Sequence, residues 1–161
     1  MPRSRIILNL HDLLPGDMDS AYTLTHEVAH VATQRWTWAG APAWLVEGAA
    51  EYTATRSQPG LPVLLPPSLR RQVANGSVYL PTYDFYERQV AAHYVVGYLA
   101  CAYISDRFGE STLRRYYREL AETPSELMTG DRTRRVTRRL LGMTTEELEQ
   151  RVARYAAGLS H

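Results

Sequence analysis

The sequence predicts a mainly helical domain of the α+β class, a helical body with one short N-terminal strand or small residual sheet. Helix start and stop signals divide most of the chain into about seven helical segments. Only Arg5-Ile-Ile-Leu-Asn-Leu10 has the β-branched, apolar character of a strand. The 161 residues, 45% hydrophobic and 22% charged, suit one domain, 1–161, with one core.

After the strand, Pro15-Gly16 marks a turn, and Asp17 or Asp19 is placed to cap a helix over about 20–35. Gly40 breaks the chain, and Pro42 suits the first turn of a second helix over about 42–56. Four prolines and a glycine make Ser57 to Pro67 a loop. A short helix near 67–74 ends at Asn75-Gly76. A long helix is expected from about Asp84 to Phe108, closed by Gly109, and another from Ser111 as cap to about Ala121. Thr123-Pro124 opens a short turn or helix. Segments 131–140 and 144–157 form the last two helices, with a capping box of Thr144 and Glu147. One strand cannot make a sheet. Either further strands lie upstream or Ser77-Val-Tyr-Leu80 supplies one.

Composition excludes several function classes. A net charge of +1 gives no global pull toward nucleic acid or an anionic membrane. No apolar segment reaches the ~18–20 residues of a membrane span. Cys101 is the one cysteine, so no intramolecular disulfide forms, and its apolar surroundings mark it as a small core residue. The N-terminus lacks a signal-peptide pattern. As given, the chain reads as cytoplasmic, or as a secreted or periplasmic fragment whose leader has been removed.

The segment Thr25-His-Glu-Val-Ala-His30 carries the chemistry. Residues four apart on a helix lie one turn apart on one side, so His26 and His30 can both reach one ion at the ~2.0–2.1 Å that zinc requires. Glu27 swings round the helix by roughly 100°, away from the ligand position and toward a water held there, the place of a general base. The flanking Leu24, Val28, Ala29 and Val31 make this a core helix, where two histidines and a glutamate need partners. A catalytic zinc takes three protein ligands and leaves one position open. In Trp44-Leu-Val-Glu-Gly-Ala-Ala-Glu-Tyr52, Glu47 and Glu51 sit four apart on an otherwise apolar helix. Unless both face solvent, Glu47 is the third ligand and Glu51 accepts the outer N–H of a ligand histidine.

These paired motifs resemble the peptidase MA-like (gluzincin) zinc metallopeptidases and, more distantly, the aminopeptidase-N-type catalytic domains. That family carries HExxH and then WLxEG, whose glutamate is the third zinc ligand, which places the metal on His26, His30 and Glu47. The aminopeptidases also have a Tyr-x-x-Gly helix with a second tyrosine nine residues after the first and a glycine at fifteen. Tyr94-Val-Val-Gly97, Tyr103 and Gly109 match it, so Tyr94 aligns with the family's transition-state tyrosine; Tyr98 and Tyr86 compete for that role. The resemblance covers roughly residues 5–157 and implies a zincin-like fold, one zinc per chain and a peptide or protein substrate. The family's further strands, and its motif that grips a free substrate N-terminus, are missing here. The resemblance therefore implies a peptidase without aminopeptidase specificity.

His93, beside Tyr94, and Trp36 are possible substrate contacts. His11, after the strand, is expected at the surface or in a turn. Arg132, Arg134, Arg135, Arg138 and Arg139 form the one basic cluster, either a solvated face opposite Val136, Leu140 and Leu141 or a surface for nucleic acid. With charge near zero and no reader motif, nucleic acid is not the expected partner. The sequence thus predicts a zinc-dependent peptidase with Glu27 as general base. Its rival is a non-catalytic zincin-like binding module that uses the arginine-rich helix 131–140 to contact a partner or nucleic acid.

Overall fold

The computed structural model describes residues 18–38, 40–60, 62–122 and 129–159. Among them are seven α-helices: α1 Met18–Thr33, α2 Ala43–Ser57, α3 Pro67–Ala74, α4 Val90–Phe108, α5 Glu110–Tyr117, α6 Thr129–Leu141 and α7 Thr145–Leu159. A π-helical turn, Arg118–Glu122, continues α5. No strand occurs among the described residues, and the expected strand Arg5–Leu10, the Pro15-Gly16 turn, His11, the Thr123-Pro124 segment and His161 lie outside them. The domain is mainly helical.

α4 is the central helix. It is apolar nearly all round, from Ala92 and Val96 to Ile104, which is the pattern of a helix surrounded by others. α2, α5, α7 and α3 all pack on it, and α1 lies against α2. α1 is not the core helix that its apolar residues predict: it packs on α2 along the face of His26, and Leu24, Val28 and Val31 are exposed. Trp44, from the first turn of α2, is 1% exposed and meets the ring of Tyr116 from α5 at 6.2 Å between centroids. Cys101 is buried at the same level, and burial pushes its thiol pKa up, in keeping with a packing role. No helix of the described residues is long and apolar enough to cross a membrane.

Two helix starts differ from the sequence expectation. α4 begins at Val90, not Asp84, because Gln89 takes the left-handed conformation at φ 54°, which ends helical continuity on its N-terminal side. Residues 81–89 instead form turns over the N-terminal end of α4, anchored by Phe85, which is fully buried. α5 begins at Glu110, directly after Gly109 at φ 89°, and no side chain caps it, so Ser111 lies inside the helix. The expected capping box at α7 is present: Glu147 N–H donates to Thr144 Oγ1 at 3.1 Å, and Thr144 N–H to Glu147 Oε2 at 2.7 Å.

Ser77 to Leu80 forms no strand. Glu149 of α7 takes over the pairing role. Its carbonyl accepts from Val78 N–H at 3.5 Å and its Oε1 from Leu80 N–H at 3.0 Å, while Tyr79 N–H donates to Gln72 Oε1 at 2.8 Å. Helix groups thus satisfy the backbone that a neighbouring strand would otherwise serve.

Candidate metal centre

α1 and α2 meet along the faces that carry His26, His30, Glu47 and Glu51. One helical turn brings the Nε2 atoms of His26 and His30 to 2.9 Å of each other. Glu47 Oε2 lies 3.3 Å from the first and 3.2 Å from the second. Ligand atoms around a tetrahedral zinc at ~2.0–2.1 Å stand about 3.3–3.4 Å apart, so this triangle is near the size that an ion would hold. Two imidazole nitrogens so close share at most one proton between them, and both face one carboxylate oxygen. A cation resolves that arrangement by accepting all three lone pairs. Together these atoms form a cluster that can hold a metal ion. Two imidazoles and a carboxylate suit zinc, and they also suit other first-row divalent ions.

The electrostatics favour positive charge at the same point. Burial alone would lower the His26 pKa, but the carboxylates of Glu47 and Glu51 outweigh it and push it up to about 9. Burial alone would raise the Glu47 carboxyl; hydrogen bonds from His26, His30 and Tyr86 reverse this and hold it well below the usual carboxylate range. His26 and Glu47 are only 8% and 7% exposed, so these charges interact with little solvent between them.

Glu51 lies on the far side of the His26 ring from Glu47. Its Oε1 is 2.8 Å from His26 Nδ1, although off the line of the N–H bond, so the contact is an ion pair more than an aligned hydrogen bond. Glu51 Oε2 accepts a short hydrogen bond from the Tyr22 hydroxyl, which also stands 3.3 Å from Thr55 Oγ1. Tyr22 was not singled out in the sequence, yet it lies four residues before His26 and so shares its face of α1. That spacing was the available signal.

Glu27 is half-buried on α1 and contributes no atom to the ligand cluster. Its charge nevertheless reaches Tyr94. The Tyr94 ring tilts against His26 at 5.9 Å between centroids and meets Phe85 edge-on at 5.0 Å. Burial, then the charges of Glu47, Glu51 and Glu27, push its phenol up to about 12, so the hydroxyl keeps its proton and can donate it. Tyr98, one turn on, instead lines a cleft with Tyr22, Glu51, Thr55 and Val63. Tyr86 donates a short hydrogen bond to Glu47 Oε1 from the turn ahead of α4.

The remaining candidates fall elsewhere. His93 is buried, with Nδ1 2.8 Å from the Phe85 carbonyl oxygen and its ring near Tyr79 and Phe85. It braces the turn that carries Tyr86. Trp36 lies under the guanidinium of Arg35, 4.0 Å from ring centre to charge, and lines a cavity of about 260 Å³ that His30 also borders. In the arginine-rich helix, Arg134 pairs with Asp131 and Arg139 with Glu119, while Arg132 is 8% exposed and donates to the Glu119 carbonyl. This face is partly packed against the end of α5 and not wholly solvated.

No family model, curated protein or solved structure matches this chain.

Proposed function

We propose that the chain is a zinc-dependent peptidase. The observation that carries this is the convergence of His26 Nε2, His30 Nε2 and Glu47 Oε2, with Glu27 following His26 in α1. Zinc held by the three ligands would supply Lewis acidity, making a water acidic near neutral pH and polarising a carbonyl. The Glu27 carboxylate accepts the proton from the attacking water and passes it to the departing amine nitrogen. The Tyr94 hydroxyl donates to the carbonyl oxygen as it gains negative charge. Glu51, braced by Tyr22, holds the His26 ring so that Nε2 faces inward. A peptide or protein is the substrate class, in line with the resemblance to the gluzincins.

Digestion of a mixed peptide library by zinc-loaded and chelator-treated protein tests this function. Cleavage products in the first and none in the second are expected. No cleavage by zinc-loaded protein that demonstrably holds one ion per chain would leave a binding role for the site and remove the peptidase.

A further inference from the structure

Glu47 offers two oxygens, and they have different tasks. Oε2 stands 3.3 and 3.2 Å from the two histidine nitrogens, in the ligand triangle. Oε1 is engaged by the hydroxyl of Tyr86. The hydroxyl is delivered by a fixed element. Phe85 is fully buried, its carbonyl oxygen lies 2.8 Å from His93 Nδ1, and its ring packs against Tyr94 at 5.0 Å and Tyr86 at 4.9 Å. Tyr86 itself is 62% exposed, so its ring contributes little to the core and the hydroxyl contact with Glu47 is its main described engagement.

A carboxylate near a divalent ion can bind through one oxygen or both. Binding through both would add a fifth ligand atom beside the water of an open four-coordinate site and crowd the face that water and substrate use. A hydrogen bond donated to one oxygen lowers its electron density and fixes the plane of the carboxylate. We infer that Tyr86 is a positioning residue that confines Glu47 to a single ligating oxygen, Oε2, and so keeps one face of the metal centre open. The inference rests on the metal-centre reading above. Tyr86 acts here through Glu47 and does not touch the reacting atoms.

The test is Tyr86→Phe, which removes the hydroxyl and keeps the exposed ring and its contact with Phe85. Wild type and variant are loaded with cobalt(II), and visible absorption and affinity are measured on folded protein checked by circular dichroism. Four-coordinate cobalt absorbs far more strongly than five- or six-coordinate cobalt, so the spectrum reports ligand number directly. Wild type is expected to show intense bands. The variant should lose several-fold in intensity as Oε1 joins the ion, with zinc affinity changed by about tenfold. Identical spectra and affinities in the two proteins would overturn the inference while leaving the metal centre intact. Failure of wild type to take up cobalt or zinc at all would overturn both. A variant that binds metal with unchanged intensity but lower affinity would show Tyr86 as a simple brace and also refute the one-oxygen role.

Discussion

Gly48 of α2 and Gly97 of α4 lie directly against one another where the two helices cross. A Cβ at Gly48 would stand 2.4 Å from the carbonyl carbon and oxygen of Gly97, and one at Gly97 would stand 2.6 Å from the Trp44 carbonyl oxygen. Both obstacles are backbone, which has no side chain to swing aside. The close approach sets the position of Glu47, the residue before Gly48, against Tyr94, one turn before Gly97. Alanine in place of a mid-helix glycine gains about 1 kcal/mol of helix propensity. Forcing helices apart in a packed core costs about 1–3 kcal/mol, and displaces neighbours. Gly48→Ala is therefore expected to lower stability by up to about 2 kcal/mol net, read by urea unfolding, and to weaken zinc binding. Unchanged stability with unchanged zinc affinity would show that the crossing is less tight than its geometry implies.

The metal centre itself is tested by content and by role. One zinc per chain is expected, and alanine at His26, His30 or Glu47 should remove most of it. Glu27→Gln should retain the metal and lose turnover, because an amide cannot accept the proton of water. Atomic absorption on the purified variants separates the two effects. A Glu27→Gln protein without zinc would make Glu27 a ligand.

The support behind His26 makes a graded prediction. Glu51→Ala leaves Nδ1 without its carboxylate and should weaken zinc affinity by about 10–100-fold. Tyr22→Phe releases one oxygen of Glu51 but keeps the carboxylate, so its effect should be smaller and in the same direction. Competition with a coloured chelator measures both. An effect of Tyr22→Phe larger than that of Glu51→Ala would contradict the order Tyr22, Glu51, His26 along the chain of contacts.

How much of this was legible in the sequence follows from which interactions are local. The spacings His26–His30 and Glu47–Glu51 are helical repeats, so each pair's common face is fixed by helix geometry once the helix is recognised. The short helix 67–74 and the Thr144–Glu147 box were read for the same reason. The hydrogen bond from Tyr86 to Glu47 was not, because the expected helix from Asp84 would have placed Tyr86 on a helical face. The left-handed Gln89 prevents this, and Phe85 is buried in the turn just ahead of it, a tertiary arrangement with no local signal. The alternative that Ser77–Leu80 supplies a second strand failed similarly: its partners are Glu149 and Gln72 of helices, which no pairing rule foresees. The spacing Tyr94-x-x-Gly97 was noticed by resemblance; the structure supplies its reason in the crossing with Gly48.

Metal uptake should depend on pH in a defined direction. In the metal-free protein the His26 pKa is raised to about 9 by burial opposed, and outweighed, by Glu47 and Glu51. The group is therefore protonated at neutral pH and must lose its proton to bind a cation. Apparent zinc affinity should rise by about tenfold per pH unit up to about pH 9 and then level off. The same shift means that metal-free stability contributed by His26 is fully present below its unfolded pKa of about 6.5 and is lost as pH rises through the folded value. Calorimetry in buffers of different ionisation enthalpy at pH 7.5, a condition chosen roughly between those two values, should detect about one proton released per zinc. Zero release would place the proton elsewhere than His26.

Tyr94 carries the last prediction. In the proposed peptidase reaction negative charge develops on the carbonyl oxygen as water adds, and a donor that engages chiefly at that moment lowers the barrier without tightening ground-state binding. The Tyr94 ring lies 5.9 Å from the His26 ring, and its phenol, pushed up to about 12 first by burial and then by Glu47, Glu51 and Glu27, retains its proton across the working pH range. Removing one such donor costs about 10²–10³ in turnover in comparable sites. Tyr94→Phe deletes the hydroxyl and preserves the edge-on contact with Phe85, so folding and zinc content should be unchanged while kcat falls by about that factor. Tyr98→Phe is the control: it borders the cleft beyond Glu51, with Tyr22 and Val63, and its loss should leave kcat within about threefold on the scale of a single peripheral contact. The measurement is kcat for both variants on one cleaved peptide. Full activity in Tyr94→Phe with loss in Tyr98→Phe would transfer the donor role one helical turn along α4 and move the reacting carbonyl toward the Glu51 side of the centre.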